Sequence, residues 1–170
     1  EQLPAARAEL AAALKREPVD RTPVCNPTSV ATVELMDLVD APFPDANRKP
    51  ELMARLAATG HTELGFDSIM PVFSIIQESS AIGCKIQWEQ KDNWPTVKMT
   101  EPIYESPSDI RIDDDWMDHP DTQCVLEAIR ILGLGGEVDA TRQLAAEFRA
   151  PVLAIAQHED GEDLALLRGL

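Results

Sequence analysis

The 170-residue chain has no long hydrophobic run and little cysteine. A helix that crosses a bilayer needs about 18–20 consecutive apolar residues, so the sequence predicts no membrane span. Its opening stretch, EQLPAARAELAAALKREPVD, lacks the basic start and continuous apolar segment of a secretory signal. The three cysteines are odd in number and far apart, which disfavours a disulfide framework. These absences together predict a cytoplasmic protein.

Basic residues are also scarce, with 15 lysines and arginines against 30 acidic residues and a net charge of −15. Phosphate backbones are bound by clustered Lys and Arg, so the balance argues against a nucleic-acid partner. It also argues against docking on anionic lipid. The apolar share of 44% is ordinary for a soluble globular chain, and the length suits about one domain.

The usual signatures of phosphate and metal sites are missing. The glycines of GLGG at 133–136 lack the Lys-Ser/Thr that follows in a phosphate loop, and they fit the end of a helix better. No C-x-x-C or H-x-C spacing relates the cysteines and histidines, so we assign no zinc ligand in this chain. The acidic run at 113–118 lacks the glycine and closing glutamate of an EF-hand. Its better reading is a solvated helix start, because carboxylates favour the positive end of a helix.

The hydrophobic pattern predicts alternating helices and strands, which favours a parallel α/β arrangement. Strands are expected at 22–25 and 66–76, with a break at Pro71, and a β-hairpin near 84–99. Helices are expected at 3–15, at 30–39 with Thr28 or Ser29 as the N-cap, from Pro50 to Gly65, and from the acidic run to Leu132. The remaining residues predict a helix, a strand at 152–156 that joins the same sheet in parallel, and a short terminal helix.

Short polar side chains follow the first predicted strand, and a mixed set covers the end of the second. In a parallel α/β fold the carboxyl ends of the strands face the ligand crevice, so both sets are candidate substrate contacts. Asn-Pro-Thr-Ser is also simply a good strand-to-helix turn, and the residues alone leave the two interpretations open. The candidates at these two strand ends are Asn26, Thr28, Ser29, Asp67, Met70 and Phe73.

Several ordered strings resemble the N-terminal half of the uroporphyrinogen decarboxylase family. They are PVCNPTSVATVELM, LGFDSIMPVFSI followed by AIGC, WPTVKM and HPDTQCVLEAIRIL. The branch they resemble most is that of the methylcobalamin:coenzyme M methyltransferases. The resemblance implies a partial (β/α)8 TIM barrel with parallel βα units and a β-hairpin insertion. Residues 1–132 would form the N-terminal half of the barrel, and residues 133–170 a divergent αβα tail completing the same domain.

The resemblance also implies an activity, namely transfer of a methyl group from a methylated corrinoid to a thiol acceptor. Zinc and methylcobalamin are the cofactors expected for the family, and a corrinoid protein is the expected partner. On this carry-over Glu78 joins the substrate-binding residues, in the segment after the second strand. The family's zinc ligands lie in its C-terminal half, and no position here matches them. The short form is therefore expected not to be self-sufficient, with a homodimer as one way to complete it.

Two other functions stay open at this point. One is a non-catalytic half-barrel homologue that binds a ligand or dimerises. The other is a uroporphyrinogen decarboxylase-like lyase, although a net charge of −15 would repel a polycarboxylate tetrapyrrole.

Overall fold

A computed structural model of the chain describes residues 2–26, 29–73, 76–88 and 90–133. Five α-helices, three short 3-10 helices and one two-stranded antiparallel sheet are formed within these ranges. The helices are α1 (Gln2–Leu14), α2 (Val33–Leu38), α3 (Pro50–Thr62), α4 (Ile76–Ala81) and α5 (Pro120–Ile131). The strands are β1 (Ile86–Gln87) and β2 (Thr96–Val97). No helix in these ranges is long and apolar enough to span a membrane.

Helix α3 begins at Pro50, as predicted, because proline suits a first turn whose N–H group has no partner within the helix. Its buried side includes Met53, Leu56 and Ala57. The helix was predicted to continue to Gly65, but it ends at Thr62, and the Leu64 side chain beyond it is exposed. Gly65 follows with a φ of 72°, in the left-handed region that a residue with a Cβ atom rarely adopts.

Helix α5 packs on α3 to form the centre of the core. Its apolar face includes Cys124, Val125 and Ala128, all of which are buried. His119 is the N-cap residue, and its Nδ1 accepts the Asp121 backbone N–H at 3.3 Å. This bond satisfies one of the donors that a helix start leaves without a partner.

Helix α2 starts later than the sequence predicted. Its N-cap is Thr32, whose Oγ1 accepts the Leu35 backbone N–H at 3.3 Å, rather than Thr28 or Ser29. Serine and threonine both serve as N-caps, so the presence of Thr28, Ser29 and Thr32 within five positions does not fix where the helix begins. The predicted helix of residues 30–39 was therefore too long at its beginning.

The predicted hairpin is confirmed as an antiparallel pair in which Ile86 faces Val97 and Gln87 faces Thr96. Glu101 joins the two strands at the base of the hairpin. Its carboxylate forms ion pairs with Lys85, before β1, at 2.6 Å, and with Lys98, after β2. The hydrogen bonds from these two lysines lower the pKa of Glu101 to about 2.

Among the described residues, no strand forms at 22–25 or at 66–73. Residues 22–26 and 68–73 adopt neither helix nor strand, and Ile76, expected in the second strand, begins helix α4. The two segments do lie side by side, but among the described residues one main-chain hydrogen bond joins them, from the Asp67 N–H to the Val24 carbonyl at 2.8 Å. The predicted helix and strand after residue 133, including the strand at 152–156, fall outside the described residues.

Gly83 ends helix α4 in a backbone conformation that favours glycine. The Cys84 N–H donates to the Ser79 carbonyl and the Gly83 N–H to the Ser80 carbonyl, which is the Schellman arrangement. Gly83 has a φ of 93°, and a Cβ added there would lie 3.4 Å from Ile103 Cδ1. We expect Gly83→Ala to lower the free energy of unfolding by about 1 kcal/mol in urea titrations. An unchanged or higher stability would contradict this description of the helix end.

Candidate functional site

Two segments that contain predicted substrate contacts are joined to each other mainly by side-chain hydrogen bonds. The first segment is residues 21–26, and the second begins at Asp67. Arg21 and Asp67 are 46 residues apart in the chain, yet their side chains form a bidentate ion pair, with Nη1 to Oδ2 at 2.7 Å and Nη2 to Oδ1 at 2.5 Å. Parallel pairs of this kind fix orientation as well as distance.

The Asp67 carboxylate is buried and fully engaged. Its side chain is 6% exposed, while that of Arg21 is 51% exposed. Its Oδ2 also accepts the Val24 backbone N–H at 2.8 Å. The hydrogen bond from Arg21, followed by that from Val24, lowers the pKa of Asp67 to about 2. The same ion pair raises the pKa of Arg21, so both groups are charged at neutral pH.

Ser68 makes the next contact between the segments. The Asn26 backbone N–H donates to Ser68 Oγ at 3.1 Å, and the Ser68 hydroxyl lies 3.3 Å from the Asn26 carbonyl, which accepts from it. Asp67 and Ser68 thus hold two alternate residues of the first segment, Val24 and Asn26. The segments are aligned by carboxylate and hydroxyl groups where a sheet would use its main chain.

We call the place where residues 21–26 meet Asp67 and Ser68 the junction. Two of the predicted contacts, Asn26 and Asp67, lie in it. Asn26 is half-buried and bonded to Ser68, and Asp67 lies in the ion pair. Ser29 is half-buried, Met70 is 37% exposed, and Glu78 is exposed on helix α4. Thr28 lies outside the described residues. Val24, at 53%, and Met70, at 37%, are the exposed large apolar residues of the two segments among those described.

Phe73 is placed in the core. Its side chain is 2% exposed, and its ring centroid lies 5.6 Å from that of Phe43 in a tilted arrangement. Phe43 in turn contacts Trp94 at 5.3 Å, which links the hairpin to the body of the protein. We refer to Phe43, Phe73 and Trp94 as the aromatic cluster. Tilted ring pairs at such distances add to the stabilisation that burial provides.

Arg21 and Ser68 were not among the residues singled out from the sequence. Arg21 stands in a proline-rich stretch with other charged residues around it, and nothing in its spacing indicates a partner 46 positions away. Ser68 lies within the predicted strand at 66–76, where nothing in the sequence distinguishes it from other serines. A bidentate pair between two segments is visible only once the fold brings them together.

Within the described ranges, no three histidine, cysteine or acidic side chains lie close enough to hold a metal ion. The family resemblance implies zinc, but these residues do not provide a ligand set for it. All three cysteines are free thiols, with Cys25 exposed in the first segment, Cys84 half-buried and Cys124 buried.

The cysteines predict a clear order of chemical reactivity. Burial raises the pKa of the Cys124 thiol to about 11, and the thiolate is the form that alkylates. We expect iodoacetamide at pH 8 to modify Cys25 quickly and Cys124 only after unfolding, as measured by peptide mass spectrometry. Equal modification of Cys124 and Cys25 in the native protein would contradict the packing of α5 on α3.

Comparison with known proteins identifies the family to which this chain belongs. The chain belongs to the uroporphyrinogen decarboxylase (URO-D) family, whose model matches residues 5–160, and the predicted resemblance is confirmed. The chain is 34% identical over 126 residues to a methylcobamide:CoM methyltransferase, MtaA, of Methanosarcina barkeri, covering 74% of this chain and 37% of that protein. It is 31% identical over 153 residues to MtbA of Methanosarcina acetivorans, another methylcobamide:CoM methyltransferase, covering 88% and 43%.

A solved structure supports the same placement. A methyltransferase from Methanosarcina mazei superimposes with a TM-score of 0.68 at 37% sequence identity, covering 75% of this chain and 37% of that one. The family and this neighbour imply a TIM-barrel-like fold. The chain spans well under half the length of the relatives it matches.

Proposed function

We propose that this chain is the N-terminal part of a corrinoid-dependent methyltransferase that moves a methyl group from a methylated corrinoid to a thiol acceptor. The observation that carries the proposal is the 34% identity to a methylcobamide:CoM methyltransferase over 126 residues. In this proposal residues 1–132 form the first βα units of a (β/α)8 barrel, residues 133–170 complete the domain, and residues 84–99 are an inserted hairpin.

The transfer is a nucleophilic substitution at the methyl carbon. The thiolate sulfur forms the new S–C bond, the Co–C bond breaks, and its electron pair stays with the corrinoid, while the thiol proton leaves to solvent. The thiolate is the competent nucleophile because a neutral thiol attacks poorly. The proposed role of this chain is to bind and orient the donor.

The junction of the two segments offers suitable groups for that role. A corrin ring has an apolar face and a rim of carboxamide groups. Met70 presents exposed apolar surface, while Asn26 and Ser29 carry side chains that both donate and accept hydrogen bonds. We propose these three, with Thr28 and Glu78, as donor contacts. Asp67 and Phe73 are not proposed as donor contacts, since the carboxylate of one is engaged by Arg21 and the ring of the other is buried.

No step of this proposal passes through zinc, because the described residues do not provide a ligand set for it. A metal that activates the thiol would be held by residues outside those described here. The methylated corrinoid is a substrate in this scheme, delivered by a corrinoid protein. A homodimer is one arrangement in which a second copy could complete the barrel.

A non-catalytic binding protein is the second candidate. Such a protein would bind a methylated corrinoid at the same junction without transferring the methyl group. A decarboxylase is disfavoured because the net charge of −15 repels a polycarboxylate substrate.

The test is a methyl-transfer assay on the purified chain. Methylcobalamin, coenzyme M and added zinc are incubated with the chain, and the methylated thiol is quantified by mass spectrometry against a reaction without protein. Because the chain alone is not self-sufficient in this proposal, we expect methylated thiol to form faster than without protein only in a fraction in which a second copy completes the barrel. Bound methylcobalamin without methylated thiol would support the binding protein instead. In a separate incubation of the chain with uroporphyrinogen, release of carbon dioxide would contradict both candidates.

A further inference from the structure

Three deeply buried polar side chains have no hydrogen-bond partner among the described residues. Asn47 is 0% exposed, Gln77 5% and Thr122 9%. The nitrogen and oxygen of both carboxamides and the Thr122 hydroxyl oxygen are the unpartnered atoms in this part of the chain. Polar groups buried this deeply are ordinarily bonded to protein or to ordered water, because removing them from water without a new partner is costly. These atoms therefore indicate a polar ligand inside the fold.

The three side chains are carried by elements that meet at the first turns of helix α5. Ser80 on α4 donates to Asp121 Oδ2 at 2.5 Å, and Gln77 lies one turn before Ser80 on the same helix. Cys124 Sγ donates to the Asn47 carbonyl at 3.8 Å, which joins the short 3-10 helix that ends at Asn47 to α5. The unpartnered hydroxyl stands between Asp121 and Cys124 in the sequence of α5. Both contacts thus connect the elements that carry the unpartnered groups.

The chemistry of these groups selects a small neutral ligand that both donates and accepts. A carboxamide has two N–H donors and an acceptor oxygen, and a hydroxyl has one donor and also accepts. All three side chains are neutral, so they offer a buried ion no opposite charge. Water meets these requirements, since a buried water molecule makes about three hydrogen bonds to polar groups of this kind.

We propose that ordered water molecules are bound inside the fold at the carboxamides of Asn47 and Gln77 and at the Thr122 hydroxyl, as a fixed part of the core around the start of α5. None of these three residues is a proposed donor contact. The site is therefore independent of the proposed activity, and its test does not depend on methyl transfer.

The first measurement is the NOE between water and the side-chain amides of the full chain, labelled with nitrogen-15. We expect the NH2 groups of Asn47 and Gln77 to show cross-peaks with water of the sign that belongs to a long-lived bound molecule. Gln123 is the control in the same spectrum, because its Nε2 donates to the Met117 carbonyl at 2.7 Å. Its amide is expected to lack such a cross-peak. A spectrum in which either buried carboxamide lacks long-lived water would overturn the proposal.

The second measurement is the urea midpoint of Gln77→Met. Methionine has nearly the helix propensity of glutamine and no hydrogen-bonding amide, so the replacement removes one partner from a bound water. We expect the midpoint to fall by about 0.5 M, as it should in Gln123→Met, which loses the bond to Met117. An unpartnered carboxamide would instead be relieved of its burial cost when an apolar group replaces it. A midpoint for Gln77→Met equal to or above that of the wild type would therefore contradict bound water.

Discussion

Replacing Phe73 with alanine is expected to lower the free energy of unfolding by about 3–5 kcal/mol. The ring is 2% exposed and contacts Phe43 at 5.6 Å, so its removal leaves a cavity in the aromatic cluster. Such a loss is a large part of the 5–15 kcal/mol that holds an ordinary domain together. Urea titration followed by tryptophan fluorescence measures it, because Trp94 belongs to the same cluster.

Phe73→Leu is the matched control for this prediction. Leucine keeps most of the apolar volume without the ring, and we expect it to cost about 1–1.5 kcal/mol. If the alanine variant were no less stable than the leucine variant, Phe73 would not be the core residue described here. Its position as a substrate contact would then become the better explanation.

Replacing Asp67 is expected to cause the largest loss of stability among single replacements of charged residues in the described ranges. Asp67→Ala leaves the Val24 N–H without its acceptor and Arg21 without its partner. The Asp67 carboxylate is 6% exposed, and its removal ends two bonds from Arg21 and one from the Val24 backbone at once. Asp45→Ala is the control, since the Asp45–Lys49 pair is exposed on both sides and such pairs contribute little. A midpoint in urea for Asp67→Ala equal to that of Asp45→Ala would contradict the role of the ion pair.

The pH dependence gives the Asp67 prediction a second signature. The hydrogen bonds from Arg21 and Val24 lower the pKa of Asp67 from 3.8 to about 2 in the folded chain. A carboxylate whose pKa is lower in the folded than in the unfolded state stabilises the fold above the unfolded value. That contribution is lost as the pH falls from about 4 to about 2. We therefore expect the stability difference between wild type and Asp67→Asn to be constant from pH 7 to 5 and to shrink below pH 4.

Helices α3 and α5 could be predicted from the sequence because their signals are local. Pro50 marks the start of α3, and the spacing of Cys124, Val125 and Ala128 marks the buried face of α5. The hairpin at 84–99 was also visible, since two short apolar runs flank a polar turn. These features depend on residues within a few positions of one another, so no knowledge of the fold was needed.

The junction could not be predicted, because its contacts are distant in the chain. Asp67 was chosen as one of the residues that cover the end of the second predicted strand, but its partner Arg21 lies 46 residues earlier and carries no local signal. The predicted strands failed for a related reason. Val24 and Asn26 use side-chain oxygens of Asp67 and Ser68 as acceptors, so the apolar pattern alone overestimates the main-chain pairing.

The central claim is that a methylated corrinoid binds where the segment ending at Asn26 meets the segment that begins at Asp67. NMR titration of the isotopically labelled chain with methylcobalamin tests it most directly. We predict that the largest shift changes fall on amides of residues 24–29 and 67–72, with little change at the hairpin base around Lys85 and Glu101. Saturable changes centred on the hairpin or on α1, or no change at all, would contradict the claim.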